Sequence, residues 1–332
     1  MHTEKLAEKL RLKGGSLSGT YLCKSKCGEF FVRKEASIKM HREYGFQRWY
    51  SQLKRLQRYG QQFPNLFPNV IQFGRYSDLA YFDIEYIDGS LTVYDFLLQS
   101  PAKESIERMF SALLAAMSRM HSKQIPSSVS AMDLYVYEEI EQKMAACLGN
   151  TQFQKLISQR EIVFNGKRVR GIYWAIDDFK KLIKQAYLNP VECFTHGNIT
   201  LENILYQPDK NLITFIDPYE ENIIDSRLAE YSQILQSCNS HYEIYNSIMP
   251  IIMDCNVNAA IEIPIGIKFF NDLFMQYIES ECSPEDLKVI RLLEISQFVR
   301  MLPFKMEIDE NKMTLFYCLA SYLFSDFETF LE

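Results

Sequence analysis

The stretch that decides the fold reads Thr195-His196-Gly197-Asn198-Ile199-Thr200-Leu201-Glu202-Asn203-Ile204-Leu205-Tyr206 and, after the turn-prone residues 207–211, Leu212-Ile213-Thr214-Phe215-Ile216-Asp217-Pro218. Two short apolar runs, 203–206 and 212–216, separated by turn residues, predict a short hairpin. Polar residues gather at its ends: His196 and Asn198 precede it, Asn203 opens it and Asp217 closes it. Taken singly, Asn203 and Asp217 are ordinary turn and capping residues, and His196 is a histidine satisfied by backbone beside a glycine turn. Their joint spacing carries more information than any one of them.

Working outward, residues 14–36 alternate turn formers with β-formers: Gly14, Gly15, Ser16, Ser18 and Gly19, then Thr20-Tyr21-Leu22, a turn at 26–28, and Phe30-Phe31-Val32. That pattern predicts a hairpin. Alternation puts Phe30, Val32 and Lys34 on one face of its second strand and Arg33 on the other. Residues 38–59 carry Phe46, Trp49, Tyr50, Leu53 and Leu56 at helical spacing, and Pro64 and Pro68 end that helix. Two further strands, 70–73 and 79–86, complete a small antiparallel sheet. At Asp88-Gly89 the pattern turns helical (93–98, 106–121, 134–148, 173–187), interrupted by a hairpin over 161–170 around Asn165-Gly166. From 228 to 332 the chain reads as helix after helix. The expected organisation is an α+β, two-lobed chain: a sheet lobe over 1–89 and a helical lobe over 90–332 that carries the loop and hairpin quoted above.

The 195–218 series resembles the catalytic and metal-binding segments of the aminoglycoside phosphotransferase and choline kinase family, a branch of the protein-kinase-like fold. That family's loop reads His-Gly-Asp, four residues, then Asn, followed by a hairpin ending in a metal-binding Asp. The resemblance implies ATP and Mg²⁺ held between the lobes, with Asn203 and Asp217 as hard oxygen ligands and His196 bracing the loop. It implies that Lys34 contacts the α- and β-phosphates, with Glu43 as its ion-pair partner, and that Gly15, Ser16 and Gly19 belong to the phosphate-covering loop. Glu85 to Gly89 looks like the connector whose backbone, at Glu85 and Ile87, hydrogen-bonds adenine. Residues 225–231 resemble the family's Asp-Pro-x-x-Asp-Leu-Ala, with Ser226 in place of proline. The series from 196 to 237 looks like phosphotransferases of bacterial surface-polysaccharide clusters, which makes a sugar or polysaccharide precursor the leading acceptor class.

The departure is Asn198, where the family has the aspartate that accepts the hydroxyl proton. An amide cannot take a proton near neutral pH. Three readings stay open. Transfer through a loose transition state can proceed by positioning and electrostatics, with Asn198 orienting the acceptor or with Glu202 or Asp225 as base. The chain can instead be a nucleotide-binding pseudokinase acting through a protein partner. Or the site performs another transfer, such as nucleotidylation.

Composition bounds the rest. With 332 residues, 47% apolar and 23% charged, the chain has a core to bury and length enough for two lobes. A formal charge of −6 supplies no general attraction to nucleic acid, and the basic residues of the 39–59 helix read as a solvated face. The N-terminus lacks an apolar signal core and residues 248–270 are too polar to span a bilayer, so a cytoplasmic protein is expected. Eight cysteines are scattered, and Cys23 and Cys27 lack a second pair for zinc, so reduced thiols are expected.

Overall fold

The computed structural model describes the whole chain except residues 1–7, 13–18, 39–43, 126–130, 188–190, 220–221, 255 and 332. Its first sheet has the order β1-β2-β3-β5-β4, built from β1 (Glu8–Arg11), β2 (Gly19–Lys24), β3 (Phe30–Ser37), β4 (Val70–Tyr76) and β5 (Leu79–Glu85), all antiparallel. β4 runs straight through Gly74, so the connecting turn is two residues long, with Ser77 at φ 50°. The strand β1 is not legible in its own residues, Glu-Lys-Leu-Arg, and exists because β2 offers it a ladder.

Helix α1 (Tyr44–Gln62) packs one face on this sheet: Trp49, Leu53 and Leu56 are buried, and the Trp49 and Phe82 rings lie 5.8 Å apart. Strand β6 (Leu91–Thr92) leads into α2 (Val93–Leu98) and α3 (Lys103–His121). There follow α4 (Ala131–Tyr135), a π-helical segment (Val136–Glu141), α5 (Gln142–Ala146) and α6 (Thr151–Ser158). The predicted hairpin forms β7 (Glu161–Phe164) and β8 (Lys167–Arg170), with Asn165 and Gly166 both at positive φ, 48° and 80°, as a type I′ turn requires. Helix α7 (Ile172–Ala186) comes next.

A 3₁₀ turn at Leu201–Asn203 feeds β9 (Ile204–Gln207), which pairs with β10 (Leu212–Phe215) and with β6 in a three-stranded sheet. The remaining helices are α8 (Arg227–Cys238), α9 (Tyr242–Ser247), α10 (Ile265–Glu281), α11 (Pro284–Arg300), α12 (Leu302–Ile308) and α13 (Glu310–Leu331). α11 is buried from Val289 to Val299 at every residue but Arg291, the mark of a helix inside a core. Pro284 starts it rather than breaking it, behind a capping box of Ser283 and Asp286.

One segment differs from the all-helical reading of 228–332. Residues 251–258 form β11 (Ile251–Met253) and β12 (Asn256–Asn258), and β12 adds in parallel to β7. The Asn165 turn fastens them: its N–H donates to Val257 O (3.0 Å), and its Oδ1 accepts from the Ala259 N–H (2.7 Å). Strands of three residues leave no periodic signature, so the hairpin was invisible in the sequence.

The chain divides into two compact units. One joins Met1–Phe96, Ser111–Met120 and His196–Asn222; the other joins Leu97–Phe110, His121–Thr195 and Ile223–Glu332. No helix among the described residues is long and apolar enough to cross a membrane. Among them the cysteines are free, Cys23 buried in β2 and Cys27 exposed, and no cluster of three or more His, Cys, Asp or Glu side chains stands ready for a metal.

Candidate active site

The sheet unit brings together residues far apart in sequence. Lys34 lies in the middle of β3, directly opposite Thr20 on β2 and Phe82 on β5, so all three share the face that receives α1. Its side chain is buried, at 4% exposure, and its Nζ pairs with an Asp217 carboxylate oxygen and reaches Gln52 Oε1 on α1 at 3.4 Å. A buried ammonium needs an anion to offset its desolvation, and Asp217 supplies it. Asp217 follows β10 with φ at 60°, a left-handed conformation that few non-glycine residues adopt outside sites where the surroundings fix it.

The loop before β9 is braced through its backbone. His196 is fully buried; its Nε2 lies 2.7 Å from Ile216 O, and its Nδ1 lies 3.2 Å from the Asn198 amide nitrogen. The neutral tautomer with Nε2–H satisfies both, donating to Ile216 and accepting from Asn198. The imidazole stacks on Phe67 (6.2 Å, 9°) and tilts against Phe215. Gly197, at φ 82°, lies so close to the Asn222 amide that a side-chain carbon would collide with it. Asn203 Nδ2 donates to Asn198 O at 2.8 Å, and the Ile216 N–H donates to Asn203 O at 3.0 Å. These bonds hold Asn198, Asn203 and Asp217 in one framework. In the other unit Thr195, which precedes this loop, donates its hydroxyl to Asp225 Oδ1 at 2.5 Å, and Ser226 caps α8.

The donor set suits a hard divalent cation. Asn203 uses its amide nitrogen on Asn198 and keeps Oδ1 for a ligand, and Asp217 adds a carboxylate. Two protein oxygens, with phosphate and water completing the shell, is how Mg²⁺ is held beside nucleotides. The anion side fits as well: Thr20 Oγ1, directly opposite Lys34, is a buried hydroxyl without a partner among the described residues, and such a group is stabilised by an acceptor brought to it.

The predicted connector, residues 85–88, borders a pocket of about 340 Å³ lined also by Phe67, Gln207, Leu212 and Thr214. Glu85 donates its N–H to Asn69 O (2.9 Å) and accepts from Asn69 Nδ2 (2.8 Å). The Ile87 N–H has no intrachain partner among the described residues. Gly19 opens β2 opposite Glu35, whereas Gly15, Ser16 and Glu43 lie outside the described residues. Two residues that sequence reasoning passed over stand beside Lys34: Thr20 and Gln52. The helix α1 carries no Asp or Glu from Tyr44 to Gln62, and that absence was readable.

The opposite sheet face is closed on itself. Arg33 forms a two-pronged ion pair with Asp83 (2.7 and 2.8 Å), Gln72 adds a bond to Asp83 (2.8 Å), and the guanidinium lies over Tyr81. Lys9 pairs with Glu35 at 2.8 Å, and Tyr76 donates to the same carboxylate at 2.5 Å. Burial, and then the bond to Glu35, raise the Tyr76 hydroxyl above the usual tyrosine range.

No family model matches the chain, and no curated protein matches it. Among solved structures it is similar to a candidate fructosamine-3-kinase of Thermobifida fusca, at 11% identity over 97% of this chain and 94% of that one, with a TM-score of 0.57. At that identity the likeness speaks for the fold alone. The chain has the protein-kinase-like α+β fold, with a small antiparallel-sheet lobe and a larger helical lobe.

Proposed function

We propose that the protein is an ATP-dependent, Mg²⁺-requiring phosphotransferase acting on a small-molecule hydroxyl, with a sugar or polysaccharide precursor as acceptor class. The observation that carries this reading is the meeting of buried Lys34 with Asp217, 183 positions apart, beside a loop that ties Asn203 to the same strand end. In this reading Lys34 binds the α- and β-phosphates, Thr20 donates to a phosphate oxygen, and the Ile87 amide receives adenine. Asn203 and Asp217 would hold Mg²⁺, which when bound absorbs charge on the equatorial oxygens of the transferred group. Asn198 orients the acceptor through its amide. The acceptor oxygen bonds to Pγ as the bond to the departing ADP breaks, and the hydroxyl proton passes to water or to the transferred phosphoryl group, since residue 198 cannot take it. His196 has both ring nitrogens engaged by backbone and keeps the loop in shape.

A second reading rests on that amide: with Asn198 in the base position, the same site can bind nucleotide and act through a protein partner. One experiment separates the two. Nucleotide consumption is measured with Mg²⁺ and a panel of sugars, amino alcohols and, following the name of the structurally similar protein, fructosamines. Acceptor-stimulated turnover that disappears in Asp217→Ala supports the phosphotransferase. Nucleotide binding without turnover, with activity appearing only in Asn198→Asp, makes the natural protein a pseudokinase.

A further inference from the structure

Among the described residues, buried Lys34 has one neutral and one charged side-chain partner. From Tyr44 to Gln62 the helix beside it carries Arg48, Lys54, Arg55 and Arg58 and no carboxylate, and the side chain it presents to Lys34 Nζ is the neutral Gln52, at 3.4 Å. A neutral amide can orient an ammonium but cannot balance its charge. Among the described residues Asp217 therefore does two jobs: it is the carboxylate paired with Lys34 and the only acid among the proposed metal ligands. A phosphate that reaches Lys34 alone meets Asp217 already there and is repelled by it. A phosphate that arrives with a divalent cation gives Asp217 a new partner as it takes Lys34.

We propose that Gln52 is the positioning residue of Lys34, and that its neutrality makes Asp217 a built-in competitor which admits nucleotide only as the metal complex. This rests on the phosphotransferase reading above and adds the order of charge exchange within its site. The consequence runs against the usual effect of removing a metal ligand. Asp217→Asn, which takes away the competitor, tightens metal-free nucleotide binding while it removes the benefit of the metal. Asparagine tolerates the left-handed φ of position 217, so this variant keeps the turn.

The experiment titrates full-length protein with ATP by calorimetry, once in EDTA and once in excess Mg²⁺, for the natural chain, Asp217→Asn, Gln52→Glu and Gln52→Leu. The natural chain binds at least about tenfold tighter with Mg²⁺, the scale of one charge-assisted bond gained. Asp217→Asn binds metal-free ATP several-fold tighter than the natural chain does, and the two conditions converge. Gln52→Glu adds an anion that stays on Lys34, so it weakens metal-free binding and widens the gap between conditions. Gln52→Leu weakens Mg²⁺–ATP binding, and Gln52→Glu does not, which separates positioning from mere packing. Metal-free affinity that is unchanged or lower in Asp217→Asn overturns the competitor, while natural-chain binding persists. Absence of binding by the natural chain in both conditions overturns the nucleotide-site reading itself.

Discussion

The two faces of β3 handle buried charge in opposite ways. On one face Arg33 and Glu35 are matched by Asp83, Lys9, Gln72 and Tyr76 in bonds of 2.5 to 2.8 Å, and the network needs nothing more. On the other, one residue along, Lys34 faces an amide at 3.4 Å and a carboxylate on another segment, beside a threonine hydroxyl with no partner among the described residues. A saturated polar network is a structural device, because it satisfies every charge it buries. An unfinished one is where a ligand completes the bonding. On the proposed phosphotransferase reading the first face serves stability and the second binding, and substitutions on the two faces should separate accordingly.

The largest effect falls on the unfinished face: Lys34→Met is expected to lower acceptor-stimulated turnover by about 10²–10³-fold, as for loss of a fixed charge-stabilising group, with no matching loss of thermal stability. On the saturated face Asp83→Ala leaves Arg33 buried without its anion and is expected to destabilise the fold by about 3–5 kcal/mol, read by chemical denaturation, while folded protein keeps its nucleotide affinity. Smaller than either is the cost of His196→Ala, which orphans Ile216 O and the Asn198 N–H and should lose about 2–3 kcal/mol as well as activity. Thr20→Val has the smallest effect on that face. It removes a buried unpartnered hydroxyl, so stability holds or rises slightly, while Mg²⁺–ATP affinity falls a few-fold; equal stability with unchanged affinity would return Thr20 to the saturated class.

A control in the other compact unit sets the pH scale. Burial, and secondarily the charge of Lys268, lower the pKa of His241 from 6.5 to about 4. The unfolded chain then takes up a proton that the folded chain refuses between those values, so stability is intact above pH 6.5 and declines as pH falls toward 4. His241→Asn, which suits the left-handed backbone there, should flatten that part of the stability profile in pH-dependent denaturation.

Where a residue's neighbours are set by its own strand or turn, the sequence was enough. Asn165-Gly166 could only be a tight hairpin, alternation separated Lys34 from Arg33, and the spacing from His196 to Asp217 outlined the loop and hairpin that the structure contains. Where the neighbour depends on how one element is rotated against another, the sequence was mute. The rotation of α1 on the sheet decides that Gln52 meets Lys34, and no local pattern encodes it. Thr20 looked like an ordinary β-former until the register placed it opposite Lys34. The strands β11 and β12 were missed because three residues each, completed by β7, leave no periodicity.

The most direct test of the account compares ligand-induced stabilisation on the two faces. Melting temperature is recorded with and without Mg²⁺–ATP for the natural chain, Lys34→Met and Asp83→Asn. The natural chain is expected to shift upward, Asp83→Asn to shift equally from a lower starting point, and Lys34→Met not to shift despite an unaltered starting point. An undiminished shift in Lys34→Met, or its loss in Asp83→Asn alone, would place nucleotide on the other face and contradict the account.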